Sequence, residues 1–134
     1  MFVDASAIVA IMTGEPDTGR IDNALEKAAK LITSPIVVLE VALALSRPDK
    51  FNRPISELKP FILDFLEERG IDLVDLPTAQ RATDLSLSAA DRFRKGRQGL
   101  NLGDCLHYTC AKFYQVPILA TKGEFGQTDL DTVA

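Results

Sequence analysis

Short apolar runs alternate along this chain with longer segments whose apolar residues recur at helical spacing, and that alternation limits the folds open to it. Met1 to Val3 is a brief apolar run ending on Asp4, and Ala7 to Met12 continues it as a helix. Thr18 to Lys30 carries Ile21, Leu25 and Ala28 at helical spacing, and Leu31 to Thr33 is β-like. Ser34 is placed to cap a helix reaching about Ser46, with Pro35 in its first turn, where a missing N–H has no intrahelical partner to lose. After a polar loop, Ser56 to Arg69 repeats Leu58, Phe61, Ile62, Phe65 and Leu66 and stops at Gly70. Ile71 to Leu76 alternates as a strand does, and Pro77-Thr78 opens a helix to about Lys95. Gly96 to Gly103 reads as a loop, Gly103-Asp104 starts a helix through Phe113 with Asp104 in its first turn, and Val116 to Ala120 is a last short strand. Strands alternating with helices imply an α/β fold with a parallel sheet, in which ligands bind beyond the C-terminal strand ends. Asp4 and Glu124 would both lie there.

With 134 residues, 46% of them hydrophobic, the chain can bury one ordinary core, so a single domain over residues 1–134 is expected. No apolar stretch approaches the roughly 20 residues of a membrane span, which excludes a transmembrane helix. Met1-Phe2-Val3-Asp4 lacks the basic start of a secretory leader, and the expected location is cytoplasmic. Cys105 and Cys110, about 140° apart around one helix, read as buried free thiols rather than a disulfide.

A net charge of −4 argues against a nucleic-acid partner, since Lys and Arg supply most non-specific affinity for phosphate. Two features offset it. Carboxylates gathered around divalent cations present positive charge once loaded, and Arg92, Arg94, Lys95 and Arg97 cluster just before Asp104. Such a run also reads as a solvated helix end.

Three carboxylates stand in unusual surroundings. Asp4 follows a buried strand, Glu40 is the lone charge in the apolar segment Ile36 to Leu45, and Asp104 starts an apolar helix. Asp4 also fits a helix N-cap, and Asp104 an acid placed at the helix dipole. Glu40 is hardest to explain structurally, because a buried unpaired carboxylate is costly. Hydrolysis of a phosphodiester with divalent cations needs several carboxylate oxygens converging on a cleft, because hard cations take oxygen ligands and polarise phosphate and water. It needs no Ser, Cys or His nucleophile, which suits a chain with one His. That His107 reads as a core or surface residue.

Taken together these residues resemble the PIN-domain ribonucleases, and among them the VapC toxins of toxin-antitoxin pairs. The resemblance rests on Val3-Asp4-Ala5-Ser6-Ala7 at the first strand's end, Leu39-Glu40-Val41 in the third helical segment, and Leu100-Asn101-Leu102-Gly103-Asp104 at a late helix. It implies a three-layer fold with a short central parallel sheet flanked by helices. It further implies an endoribonuclease using Mg²⁺ or Mn²⁺ held by Asp4, Glu40 and Asp104, leaving a 3′-hydroxyl and a 5′-phosphate. The family's fourth acid follows the last strand in a T-x-D-x-x-F pattern, from which Thr121-Lys122-Gly123-Glu124-Phe125-Gly126-Gln127-Thr128-Asp129 departs, so Glu124 or Asp129 takes that role. Ser6 and Asn101 would hydrogen-bond a ligand carboxylate or water, with a cap and a turn as the simpler roles. Arg94, Arg97 and Lys122 would contact RNA phosphates. The implied partners are RNA, a VapB-like antitoxin whose C-terminal segment enters the cleft, and a second copy of the chain; Ile21, Leu25, Phe61 and Phe65 are candidate contacts beside their core role.

A haloacid dehalogenase phosphatase needs a second Asp where Ser6 stands, and a receiver domain needs an acidic pair near the first strand. Two other readings stay open: a PIN-type RNA-processing nuclease without an antitoxin, and a non-catalytic α/β binding module in which the carboxylates are caps and surface charges.

Overall fold

The computed structural model describes residues 1–16, 18–96, 99–121 and 123–133. Five short strands, β1 (Phe2–Val3), β2 (Leu31–Thr33), β3 (Ile71–Leu73), β4 (Ile118–Leu119) and β5 (Thr132–Val133), pair in the order β3-β2-β1-β4-β5. Every pairing is parallel, with Phe2 opposite both Ile32 and Ile118. Among the described residues six α-helices flank the sheet: α1 (Ala5–Met12), α2 (Gly19–Lys27), α3 (Pro35–Ser46), α4 (Ile55–Glu68), α5 (Ala79–Phe93) and α6 (Leu102–Tyr114). This is the layered α/β arrangement that the strand-helix alternation implies. No helix among the described residues is long and apolar enough to cross a membrane.

Local chemistry sets the helix ends. Ser34 caps α3 by accepting a hydrogen bond from the Val37 N–H at 3.3 Å, with Pro35 in the first turn. Gly70, at φ +65°, supplies the left-handed turn by which the chain leaves α4 for β3. α6 begins at Leu102, one residue before the expected Gly103-Asp104 start and with Asp104 in its first turn as expected, because Asn101 and Asp104 form a reciprocal capping box that satisfies first-turn N–H groups.

The strands are shorter than the sequence pattern suggests. The expected strand from Ile71 to Leu76 ends at Leu73, because β3 lies at the sheet edge beside a three-residue β2, and both Leu73 and Leu76 remain exposed. The run from Val116 to Ala120 contributes only Ile118 and Leu119. β5 falls in a polar tail with no strand-like alternation, and the Ile118 N–H bonding to the Asp131 carbonyl at 3.0 Å helps to hold it.

Phe2, Val3, Ile8, Leu45, Leu58, Ile62, Leu100, Tyr108, Leu119 and Phe125 are fully buried, so β1 and α6 lie deep in the core. Ile21 and Leu25, considered as contact residues, belong to this core. Phe61 does not: it is 65% exposed on α4. Cys105 and Cys110 are buried free thiols as expected, and burial pushes the Cys110 thiol up to about 11.

Candidate active site

β1 is central: the chain runs from it through β2 to the β3 edge and then crosses back to lay β4 on its other side. This is a topological switch point, where an open parallel sheet leaves a crevice beyond its strand ends. Asp4 sits there, only 6% exposed. Its Oδ2 accepts from the Ser6 N–H at 3.0 Å and the Ser6 hydroxyl at 2.6 Å, so Asp4 is both the N-cap of α1 and a crevice carboxylate. Ser6 Oγ in turn accepts from the Thr121 N–H at 3.0 Å, tying the loop after β4 to the end of β1.

The capping box turns Asp104 into the same crevice. Its Oδ2 accepts from the Asn101 N–H at 3.2 Å, while its own N–H donates to Asn101 Oδ1 at 2.8 Å. Burial raises the Asp104 pKa above the usual carboxylate range. The charges of Asp4 and Glu124 push it the same way, against the opposing pull of the Asn101 N–H and His107. Asp104, on α6, thus feels the carboxylates at the end of β1 and in the loop after β4.

Glu40 reaches them from α3, although not as a buried orphan. Its side chain is 37% exposed and hydrogen-bonds His107, so burial of an unpaired charge does not explain it. Gly103 makes the approach possible: a Cβ there would lie 2.7 Å from Glu40 Oε1 and 3.0 Å from Oε2. Sequence reasoning set His107 aside as a core or surface residue, yet the structure puts it at the centre. It is fully buried, its Nε2–H donates to Glu40 Oε1, and Nε2 is 3.8 Å from Asp4 Oδ1. Burial alone would lower its pKa, but the bond to Glu40 and the charges of Asp4, Glu40 and Asp104 raise it overall. The missed signal was the three-residue spacing of Asp104 and His107, which puts both on one helix face.

The two candidates for a fourth acid diverge. Glu124, in the 3₁₀ turn Gly123–Gln127, acts electrostatically on Asp104. Asp129 instead accepts from the Tyr108 hydroxyl at 2.7 Å and the Lys112 ammonium at 2.8 Å, with Arg92 3.8 Å away. Arg94 caps the end of α5, and its charge acts on the Cys105 thiol beside Asp104. Arg97 and Lys122 lie outside the described residues.

An oxygen-rich donor set of mutually repelling carboxylates, with a glycine leaving room at Glu40, fits a hard divalent cation. As the side chains stand, no three His, Cys, Asp or Glu among the described residues are disposed to hold a metal ion. Glu40 is engaged by His107, and Asp129 by Tyr108 and Lys112.

The sequence model of the PIN domain matches residues 1–127. A VapC ribonuclease of Mycobacterium bovis is 34% identical over 136 residues, covering 100% of this chain and 98% of that protein. The chain belongs to the PIN-domain family, among the VapC ribonucleases. A VapC ribonuclease of Rhizobium meliloti is 32% identical, covering 96% of this PIN domain and 98% of the relative. Among solved structures, VapBC2 from Rickettsia felis bound to a promoter DNA fragment superposes with a TM-score of 0.74 at 16% identity, over 98% and 95% of the two chains. VapC20 of Mycobacterium tuberculosis, described as a sarcin-ricin loop cleaving toxin, gives 0.66 at 14% identity over 96% and 95%. These two superpositions show the shared fold, and the sequence relatives make this PIN domain a ribonuclease, a hydrolase of RNA phosphodiester bonds.

Proposed function

We propose that the chain is a cytoplasmic VapC-type toxin, an endoribonuclease whose Mg²⁺ or Mn²⁺ is held by Asp4, Glu40, Asp104 and Glu124. The observation that carries this reading is the convergence of those carboxylates at the switch point, where Asp4 and Glu124 raise the pKa of Asp104. Repelling carboxylates held together by folding store an affinity for a cation. Bound divalent cations supply polarisation of the scissile phosphate and ease deprotonation of water, giving a 3′-hydroxyl and a 5′-phosphate.

The chain's own residues hold the rest in place. Ser6 fixes the rotamer of Asp4 and ties the Glu124 loop to it, and Asn101 fixes Asp104. Arg94, exposed at the end of α5, is the described cation best placed to meet RNA phosphates. The fourth acid is Glu124 rather than Asp129, whose oxygens are taken up by Tyr108 and Lys112 farther along α6.

The toxin-antitoxin complexes among the solved neighbours favour a VapB-like partner over an antitoxin-free RNA-processing nuclease. An open groove of about 1130 Å³, lined by Ile11, Met12, Phe51, Phe61 and Phe65, suits an amphipathic antitoxin segment.

Cleavage of mixed RNA by the partner-free protein with Mg²⁺, Mn²⁺ or EDTA tests the reading. Metal-dependent cleavage, lost in Asp4→Asn and Asp104→Asn, is expected. Equal behaviour of all three proteins, with no metal-dependent rise in melting temperature, would overturn the site assignment, and absence of cleavage by all three would favour a non-catalytic binding module.

A further inference from the structure

We propose that His107 and the divalent cation exclude one another at Glu40: the imidazole holds the Glu40 carboxylate in the cation-free protein and releases it when the cation binds. The inference rests on the metal-site reading above and assigns His107 as a positioning residue for it.

Three observations carry it. First, the imidazole fills the gap between the two carboxylates, bonded to Glu40 Oε1 and 3.8 Å from Asp4 Oδ1. A cation held by Asp4 and Glu40 would take up the Glu40 oxygen that the Nε2–H now occupies, since hard cations bind carboxylate oxygen directly. Second, among the described residues no Lys or Arg ion-pairs with Asp4, Glu40, Asp104 or Glu124, and His107 alone lies within ion-pair distance of Asp4 and Glu40. His107 therefore stands in for the cation. Third, the partners differ in freedom to move. His107 is fully buried on α6 with its ring 5.9 Å from that of Phe2, whereas the Glu40 side chain is 37% exposed. Glu40 is the group that turns.

Release has a cost. His107 Nδ1 is buried without a hydrogen-bond partner among the described residues, so once Glu40 leaves, the ring loses the bond that orients it. Cation affinity is thereby set lower than the carboxylates alone would give, and removing the imidazole raises it by about tenfold, the worth of one hydrogen bond.

This chain has one His, so its imidazole signals are a private reporter. Mg²⁺ is titrated into the ¹⁵N-labelled full chain at constant ionic strength, with calorimetry in parallel on wild type and His107→Leu, which fills similar space without a donor. The expected result is an imidazole shift that saturates with the calorimetric isotherm, and Mg²⁺ binding tightened about tenfold in His107→Leu. Calorimetric binding with an unmoved imidazole, or weaker binding in His107→Leu, overturns the inference and leaves the metal site standing. Absence of Mg²⁺ binding to wild type overturns both. If His107→Leu does not fold, the wild-type titration decides alone.

Discussion

Asp104 and Asp129 lie on opposite terms with helix α6. Asp104, in its first turn, is buried beside Asp4 and Glu124, and its carboxyl is harder to ionise than usual. Asp129 is bonded farther along the helix, by Tyr108 and Lys112. Burial there too works against the charge, but the Lys112 and Tyr108 hydrogen bonds and the Lys112 and Arg92 charges outweigh it and lower its pKa. One carboxylate has been placed among like charges, the other among opposite ones. In the proposed reading the difference separates a group kept for a ligand from a group that holds the fold, and residue type alone does not reveal it.

The sharpest way to break that contrast is Asp104→Asn. Loss of a charge aimed at the reacting phosphate lowers kcat/KM by about 10²- to 10³-fold. Stability should move the other way. The folded pKa of Asp104 is raised, so its ionised form costs stability at every pH above that value, and the cost fades as pH falls toward the unfolded value. Metal-free Asp104→Asn should therefore melt at or above the wild-type temperature at neutral pH, while the rise on adding Mg²⁺ disappears. A variant that melts lower without metal and still gains from Mg²⁺ would make Asp104 a structural cap alone.

The next comparison sets Glu124→Gln against Asp129→Asn. If Glu124 belongs to the site, Glu124→Gln loses about tenfold or more in cleavage and binds Mg²⁺ more weakly, with an unchanged melting temperature. Asp129→Asn should lose under threefold in cleavage, since Asp129 meets Tyr108 and Lys112 rather than the crevice. The reverse pattern would return the fourth role to Asp129. Steady-state cleavage of one RNA and calorimetric Mg²⁺ titration read both.

Much of this was legible in the chain. The strand-helix alternation gave the parallel sheet, and parallel strands put Asp4 and Glu124 at the same sheet end. Ser34-Pro35 and Gly70 marked boundaries because their chemistry is local. What escaped was non-local. β5 exists because β4 offers an edge, not because Thr132-Val133 reads as a strand. Glu40 looked like a buried orphan because its partner is 67 residues away, and the choice between Glu124 and Asp129 was hidden because Arg92 and Lys112 reach Asp129 only in the folded protein.

The smallest effect expected is the stability carried by Asp129. Its side chain is 35% exposed, so its charge-assisted bonds to Tyr108 and Lys112 are screened and together stabilise by about 1 kcal/mol rather than the sum of two buried bonds. Because the folded pKa is lowered, this contribution is fully present above the unfolded value and is lost as pH falls through the folded one. Urea unfolding of wild type and Asp129→Asn should therefore differ by about 1 kcal/mol at pH 7 and converge in the acid range below pH ~4. The Tyr108 phenol, pushed up to about 12 by burial and then by Asp129, should titrate lower in the variant. A stability gap that persists undiminished through the acid range would mean that Asp129 acts by packing and not by charge, and the contrast with Asp104 would then fail at this end of α6.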